Sequence, residues 1–149
     1  MTMKTHPLDV LQSVEKLHQR TVPLFQQFKS ALRSGEAADW AKLKIEDVID
    51  DTHSFKLSWA GVTLLCVLAL RPVRAPASEA VVQIYEVKRF EEFPTLLGEE
   101  GFNTRTGASE KLHFSQHEDD DRERIFINTA HGAVELIAPY LFKVLGIPR

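Results

Sequence analysis

The residues able to do chemistry in this sequence come as pairs and one run. Glu86 and Lys88 flank Val87 at the end of an apolar stretch, and on a strand that spacing sets a carboxylate and an ammonium on one face. His131 and Glu135 are four apart in a segment of helical periodicity, so they share a helix face and have the types to ligate one metal. Two ligands do not complete a site, and the fuller His-Glu-x-x-His pattern is absent, so a hydrogen bond on the helix surface is expected. His113 and His117 have the same spacing on what reads as an extended arm. At about 3.3 Å per residue they stand about 13 Å apart there, too far to chelate one ion unless the strand ends at Ser115 and turns. Glu118, Asp119, Asp120 and Asp121 carry the charge to attract calcium or a basic partner. They lack the alternation and the glycine of an EF-hand loop, so the run is expected to be a solvated turn, and its functional assignment is partner contact.

The Glu86-Val87-Lys88 triplet is similar to the Glu-x-Lys half of the restriction-endonuclease-like nucleases. That resemblance implies a carboxylate pair on adjacent strands holding a metal, with Lys88 polarising the attacking water. It covers only these positions. The preceding apolar run, Val62 to Leu70, contains no carboxylate, and Asp50 and Asp51 lie before an intervening strand. The expectation is therefore a solvent-facing charge pair. Cys66 sits inside the same apolar run, where a thiolate is not formed. Gly98, Gly101 and Gly107 are too spread, and too poorly placed before a helix, to cradle a phosphate. No serine stands in a Gly-x-Ser-x-Gly elbow. No catalytic, cofactor-binding or metal-binding residue is assigned, and no cofactor is expected.

The elements that would position these residues follow from periodicity. Val10, Leu11, Val14, Leu17, Thr21, Leu24, Phe25, Phe28, Ala31 and Leu32 recur in steps of three and four, predicting a long amphipathic helix that Pro23 kinks or restarts near Thr21 and that stops at Ser34-Gly35. A shorter helix is predicted from Ala37 to Ile49, burying Trp40, Leu43 and Val48, followed by a polar connection at Asp50-Asp51-Thr52. From His53 the period becomes two. Phe55, Leu57 and Trp59 predict a strand, Ala60-Gly61 a tight turn or bulge, and Val62 to Leu70 a central strand covered on each face. Ala80 to Arg89 predicts another strand, with Tyr85 on the face that Trp59 also lines. Phe93 to Gly101 reads as loop, Phe102 to Gly107 and Glu110 to Gln116 as a hairpin, and Ile125 to Ile127 as a strand or a helix start. A last helix is capped by Asn128 or Thr129, buries Val134, Ile137, Leu141 and Leu145, kinks at Pro139 and closes at Gly146.

The expected fold is thus a single α+β domain over 1–149: N-terminal helices, a central antiparallel sheet of four to six strands, and a C-terminal helix packed on the sheet. At 44% hydrophobic and 26% charged residues the chain is an ordinary globular one, which excludes wholesale disorder. A formal net charge of -3 with scattered basic residues argues against nucleic acid as a partner. The N-terminus lacks an apolar signal core, and the most apolar run, Trp59 to Leu70, is short of the about 20 residues a membrane helix needs. A cytosolic protein of bacterial type is expected. With no convergent nucleophile, base and oxyanion donor, the expected function is a non-enzymatic protein-interaction module (adaptor, chaperone or immunity-type inhibitor). Its partner would be another protein, and a homodimer would cover any stripe the sheet leaves bare. The alternatives are a small metal-dependent hydrolase or nuclease, or a small-ligand-binding domain.

Overall fold

The computed structural model describes residues 6–34, 42–70, 80–112 and 123–148, and in these residues two helices pack against a seven-stranded sheet. Helix α1 spans Pro7–Arg33. The strands are β1 Lys44–Asp47, β2 Ser54–Trp59, β3 Val62–Leu70, β4 Ala80–Glu86, β5 Thr95–Phe102, β6 Ala108–Leu112 and β7 Arg124–Phe126, and helix α2 spans Ala130–Leu145. Strand order follows chain order and neighbouring strands are antiparallel, an α+β meander with more strands than the four to six predicted.

Helix α1 starts where His6 accepts the Leu8 amide and Pro7 occupies the first turn, where its missing donor costs nothing. The helix is not restarted at Pro23. The carbonyl that Pro23 leaves without a partner belongs to Gln19, on the exposed side, so water can satisfy it while Leu24, Phe25 and Phe28 hold the inner side to the sheet. Phe55 of β2 rises between two rings of α1, with centroids 5.3 Å from Phe25 and 5.7 Å from Phe28, and all three are fully buried. Burying each such ring contributes roughly 1.5–3 kcal/mol.

The predicted helix from Ala37 to Ile49 is corrected over its described part: Lys44–Asp47 is a strand, paired with β2 so that Asp47 faces Phe55. Trp40 lies outside the described residues. Helical spacing of Leu43 and Val48 lost to tertiary contacts, because α1 offers two cations to this edge. Lys29 Nζ lies 2.9 Å and Arg33 Nη2 3.1 Å from Asp47 Oδ1. Hydrogen bonds from Lys29 and then Arg33 hold the Asp47 carboxyl below its usual 3.8. A depressed folded value means the stabilisation is complete above pH 3.8 and is lost as pH falls through the lowered value. Asp47→Asn is therefore expected to lower the melting temperature slightly at neutral pH, where the stabilisation is present, and to converge on wild type as pH falls, which flattens the acid limb of a melting-temperature-against-pH series.

Ala60 and Gly61 form the two-residue β2–β3 turn, with φ of 49° and 81°, the left-handed pair that matches strand twist in tight hairpins. Val62, Leu64, Cys66 and Leu68 of β3 are buried on the helix side, whereas Thr63, Leu65, Val67 and Ala69 are only half-buried, so the second face is less covered than predicted. Trp59 pairs with Val62 and follows Leu57 on the core face, while Tyr85 pairs with Leu65 on the other. The shared face expected for these two aromatics is not found. β4 ends at Glu86, and residues 87–94 form the connection to β5.

The segment read as a loop from Phe93 to Gly101 is mostly β5. Its glycines look like breakers in print, but each makes room for a neighbour. A Cβ at Gly98 would lie 2.9 Å from Tyr140 Cε1, and one at Gly101 would lie 2.7 Å from Glu110 Oε1. The hairpin predicted from Phe102 therefore begins earlier, with Asn103–Gly107 as its turn and β6 as its second arm. Ile125 lies in β7, and Thr129 caps α2 by accepting the Gly132 amide. The inner side of α2 is Gly132, Ala133, Leu136, Ile137, Tyr140 and Leu141. Val134 is only partly buried and Leu145 is exposed, so the helix is rolled relative to the stripe predicted. Pro139 lies within the unbroken helix.

Candidate functional site

The structure does not assemble the nuclease-like half-motif. Glu86 sits between Leu64 of β3 and Thr95 of β5, neither a carboxylate, and Lys88 lies beyond the strand, 3.9 Å from Glu91. His131 Nε2 and Glu135 Oε2 are 3.2 Å apart on one face of α2, as their spacing predicts. Among the described residues no group of three or more His, Cys, Asp or Glu side chains is arranged to hold a metal ion. Cys66 is fully buried, and burial pushes its thiol up to about 12. The acidic run Glu118, Asp119, Asp120 and Asp121 lies outside the described residues, as do His113 and His117.

A buried polar cluster was missed by the pattern reading. Glu100 of β5 accepts from the Tyr140 hydroxyl of α2, and Lys111 Nζ of β6 lies 2.6 Å from Glu100 Oε1 and 5.3 Å from the Tyr140 ring centre. Burial, and next the Glu100 carboxylate, pushes the Tyr140 phenol up, so it stays protonated and donates. Every buried side-chain oxygen or nitrogen among the described residues has a hydrogen-bond partner. The register that pairs Phe102 with Ser109 carries Glu100 opposite Lys111, so the cluster ties α2 to the β5–β6 hairpin. The alternation that should reveal Glu100 as inward-facing is masked by its neighbour Glu99, which points to Gln83 on the other face.

The surface is more informative than the interior. From Pro7 to Lys16 every residue of α1 is exposed except the half-buried Val14, and the buried stripe begins only at Leu17. Ten helical residues rise about 15 Å, so the first turns of α1 project past the region that the sheet covers. Leu8 is 61%, Val10 46% and Leu11 65% exposed on this extension. A second apolar tip stands in the β4–β5 connection, where Phe90 is 94% and Phe93 75% exposed. The pairing of Leu64 with Glu86 and of Ser54 with Val67 places that tip at the end of the sheet away from His53. Single exposed leucines need no explanation, but apolar side chains gathered at two projections do.

Comparison of the chain with family models, with curated proteins and with solved structures returns no match. Among the described residues no helix is long and apolar enough to cross a membrane.

Proposed function

We propose that this chain is a non-enzymatic protein-interaction module whose contact element is the α1 extension, Pro7 to Lys16. The observation that carries the reading is that α1 runs past the sheet with apolar side chains still in solvent: Val10 continues the line of Leu17, Leu24 and Phe28, while Leu8 and Leu11, three apart, stand together on a different side of the helix. Nearly three turns without tertiary packing are marginal in water, since most helical stability comes from a packed apolar face. A partner that covers these side chains supplies what the sheet does not. Its chemistry is an apolar groove or helix face with a mixed-charge rim, matching Asp9, Glu15 and Lys16 on the flanks. Three apolar side chains do not fill the about 800 Å² per partner of a standard interface, so the polar flank must be engaged as well. A reducing cytosol of bacterial type, in which Cys66 remains a thiol, is the setting this reading assumes.

The test compares wild-type chain with the double variant Leu8→Ser, Leu11→Ser. Both side chains are exposed, so the variant's melting temperature is expected to match wild type, because surface changes fall within about 0.5 kcal/mol. Proteins captured from the native cytosol by the wild type are expected to be lost from the variant. Sedimentation of both forms shows whether the partner is a second copy. Capture that is identical for both forms removes the extension as the contact element.

A further inference from the structure

At the root of the α1 extension, His18 meets His53, the residue just before β2. Their Nε2 atoms are 2.6 Å apart, their ring centroids 4.9 Å, and their planes differ by 22°. The centroid separation equals the N···N distance plus about two imidazole ring radii, which places both nitrogens on the line between the ring centres. The rings therefore meet edge to edge, head on, rather than face to face. That line holds one proton. A zinc ion would need about 2.0–2.1 Å to each nitrogen, which the present separation does not allow.

The far side of His53 decides which ring donates. Its Nδ1 is 3.3 Å from Thr52 Oγ1 and 3.7 Å from Asp51 Oδ1. Asp51 is kept ionised by the Ser54 hydroxyl, then by the His53 amide, both donating to its carboxylate. The ionised carboxylate on that side favours the tautomer with the proton on Nδ1 of His53, which leaves its Nε2 to accept and His18 Nε2 to donate. We propose that His18 and His53 form a proton-operated clasp that fastens the amino-terminal half of α1 to the β1–β2 turn and opens on acidification.

The proton count gives the sign. One added proton goes to Nδ1 of His18, and the pair survives as an imidazolium donating to an imidazole. A second added proton puts N–H groups on both Nε2 atoms, and the contact becomes repulsive. Opening thus takes up a proton and is favoured as pH falls. The charged groups around the pair are Asp50 and Asp51 on the turn and, within one turn of His18 on α1, Glu15, Lys16 and Arg20. The facing part of β3, Val67 and Leu68, carries none, and the Leu68 amide donates to the His53 carbonyl, so His53 stays with the sheet when α1 lifts.

The clasp does not depend on the docking reading, and it is tested on the isolated full chain. Ring-nitrogen NMR shifts at about pH 8 are expected to show one Nε2–H and one Nδ1–H imidazole at these two positions. Amide exchange around Thr21, corrected for its intrinsic pH dependence, is then followed down to about pH 5. Protection is expected to fall by up to about tenfold per pH unit once the second proton binds. In His18→Gln the amide can donate to His53 Nε2 or accept from it, so protection there is expected to stay flat, and His53→Gln does the same from the other side. Equal pH dependence in wild type and both variants overturns the proposal, as does finding Nδ1–H on both rings at the upper pH.

Discussion

Gly132→Ala is expected to destabilise the protein by about 3 kcal/mol or more, against the usual gain of up to about 1 kcal/mol for this change inside a helix. The added Cβ would lie 2.1 Å from the Phe126 carbonyl oxygen, 3.0 Å from its carbon and 2.7 Å from Thr129 Oγ1. Two of these are backbone atoms at the end of β7 and cannot rotate away. The third is the capping hydroxyl, which accepts the Gly132 amide at 3.1 Å and donates to the same Phe126 carbonyl at 3.1 Å. Relieving the clash means lifting the start of α2 off β7, which undoes the cap and draws Ala133 and Leu136 out of the core. Chemical denaturation of the two forms measures the effect, and an alanine variant as stable as wild type would show that α2 does not rest on the Phe126 carbonyl. The same close approach accounts for the roll of α2 away from the predicted stripe: the helix packs on its smallest side chain.

Strands β2, β3 and β4 were legible because each alternates or stays apolar over six or more residues, and α1 because its steps of three and four persist for six turns. β1 and β5 were not, for different reasons. β1 is a charged edge strand whose conformation depends on Lys29 and Arg33 reaching across from α1, a contact with no local signature. β5 contains two glycines and two glutamates, a composition that reads as loop until Tyr140 and Glu110 are known to lie against Gly98 and Gly101. The polar constellations fared likewise. His131 and Glu135 share a helix face and were found, because their relation is local. His18 and His53 stand 35 positions apart, and Glu100 and Tyr140 40 apart. No spacing rule links residues that only the packing of helix on sheet brings together.

That packing is the subject of the other large effect. Phe55→Ala is expected to cost about 3–5 kcal/mol, a large part of the about 5–15 kcal/mol that holds a typical domain folded. Phe55 is fully buried between Phe25 and Phe28, so truncation opens a void that both rings of α1 border and that the backbone of β2, paired on both sides, cannot close. Cys66 reports the consequence directly. It is the β3 partner of Phe55, wholly buried, with its thiol pushed up to about 12, so a thiol reagent reaches it only when α1 separates from the sheet. A loss of about 3 kcal/mol raises the open population, and with it the labelling rate, by about a hundredfold or more. Phe55→Leu keeps most of the volume and is expected to label at an intermediate rate. If Phe55→Ala lowers the denaturation midpoint while Cys66 labels no faster, the opening that exposes the core is not the lifting of α1, and the three-ring contact is not what joins the helix to the sheet.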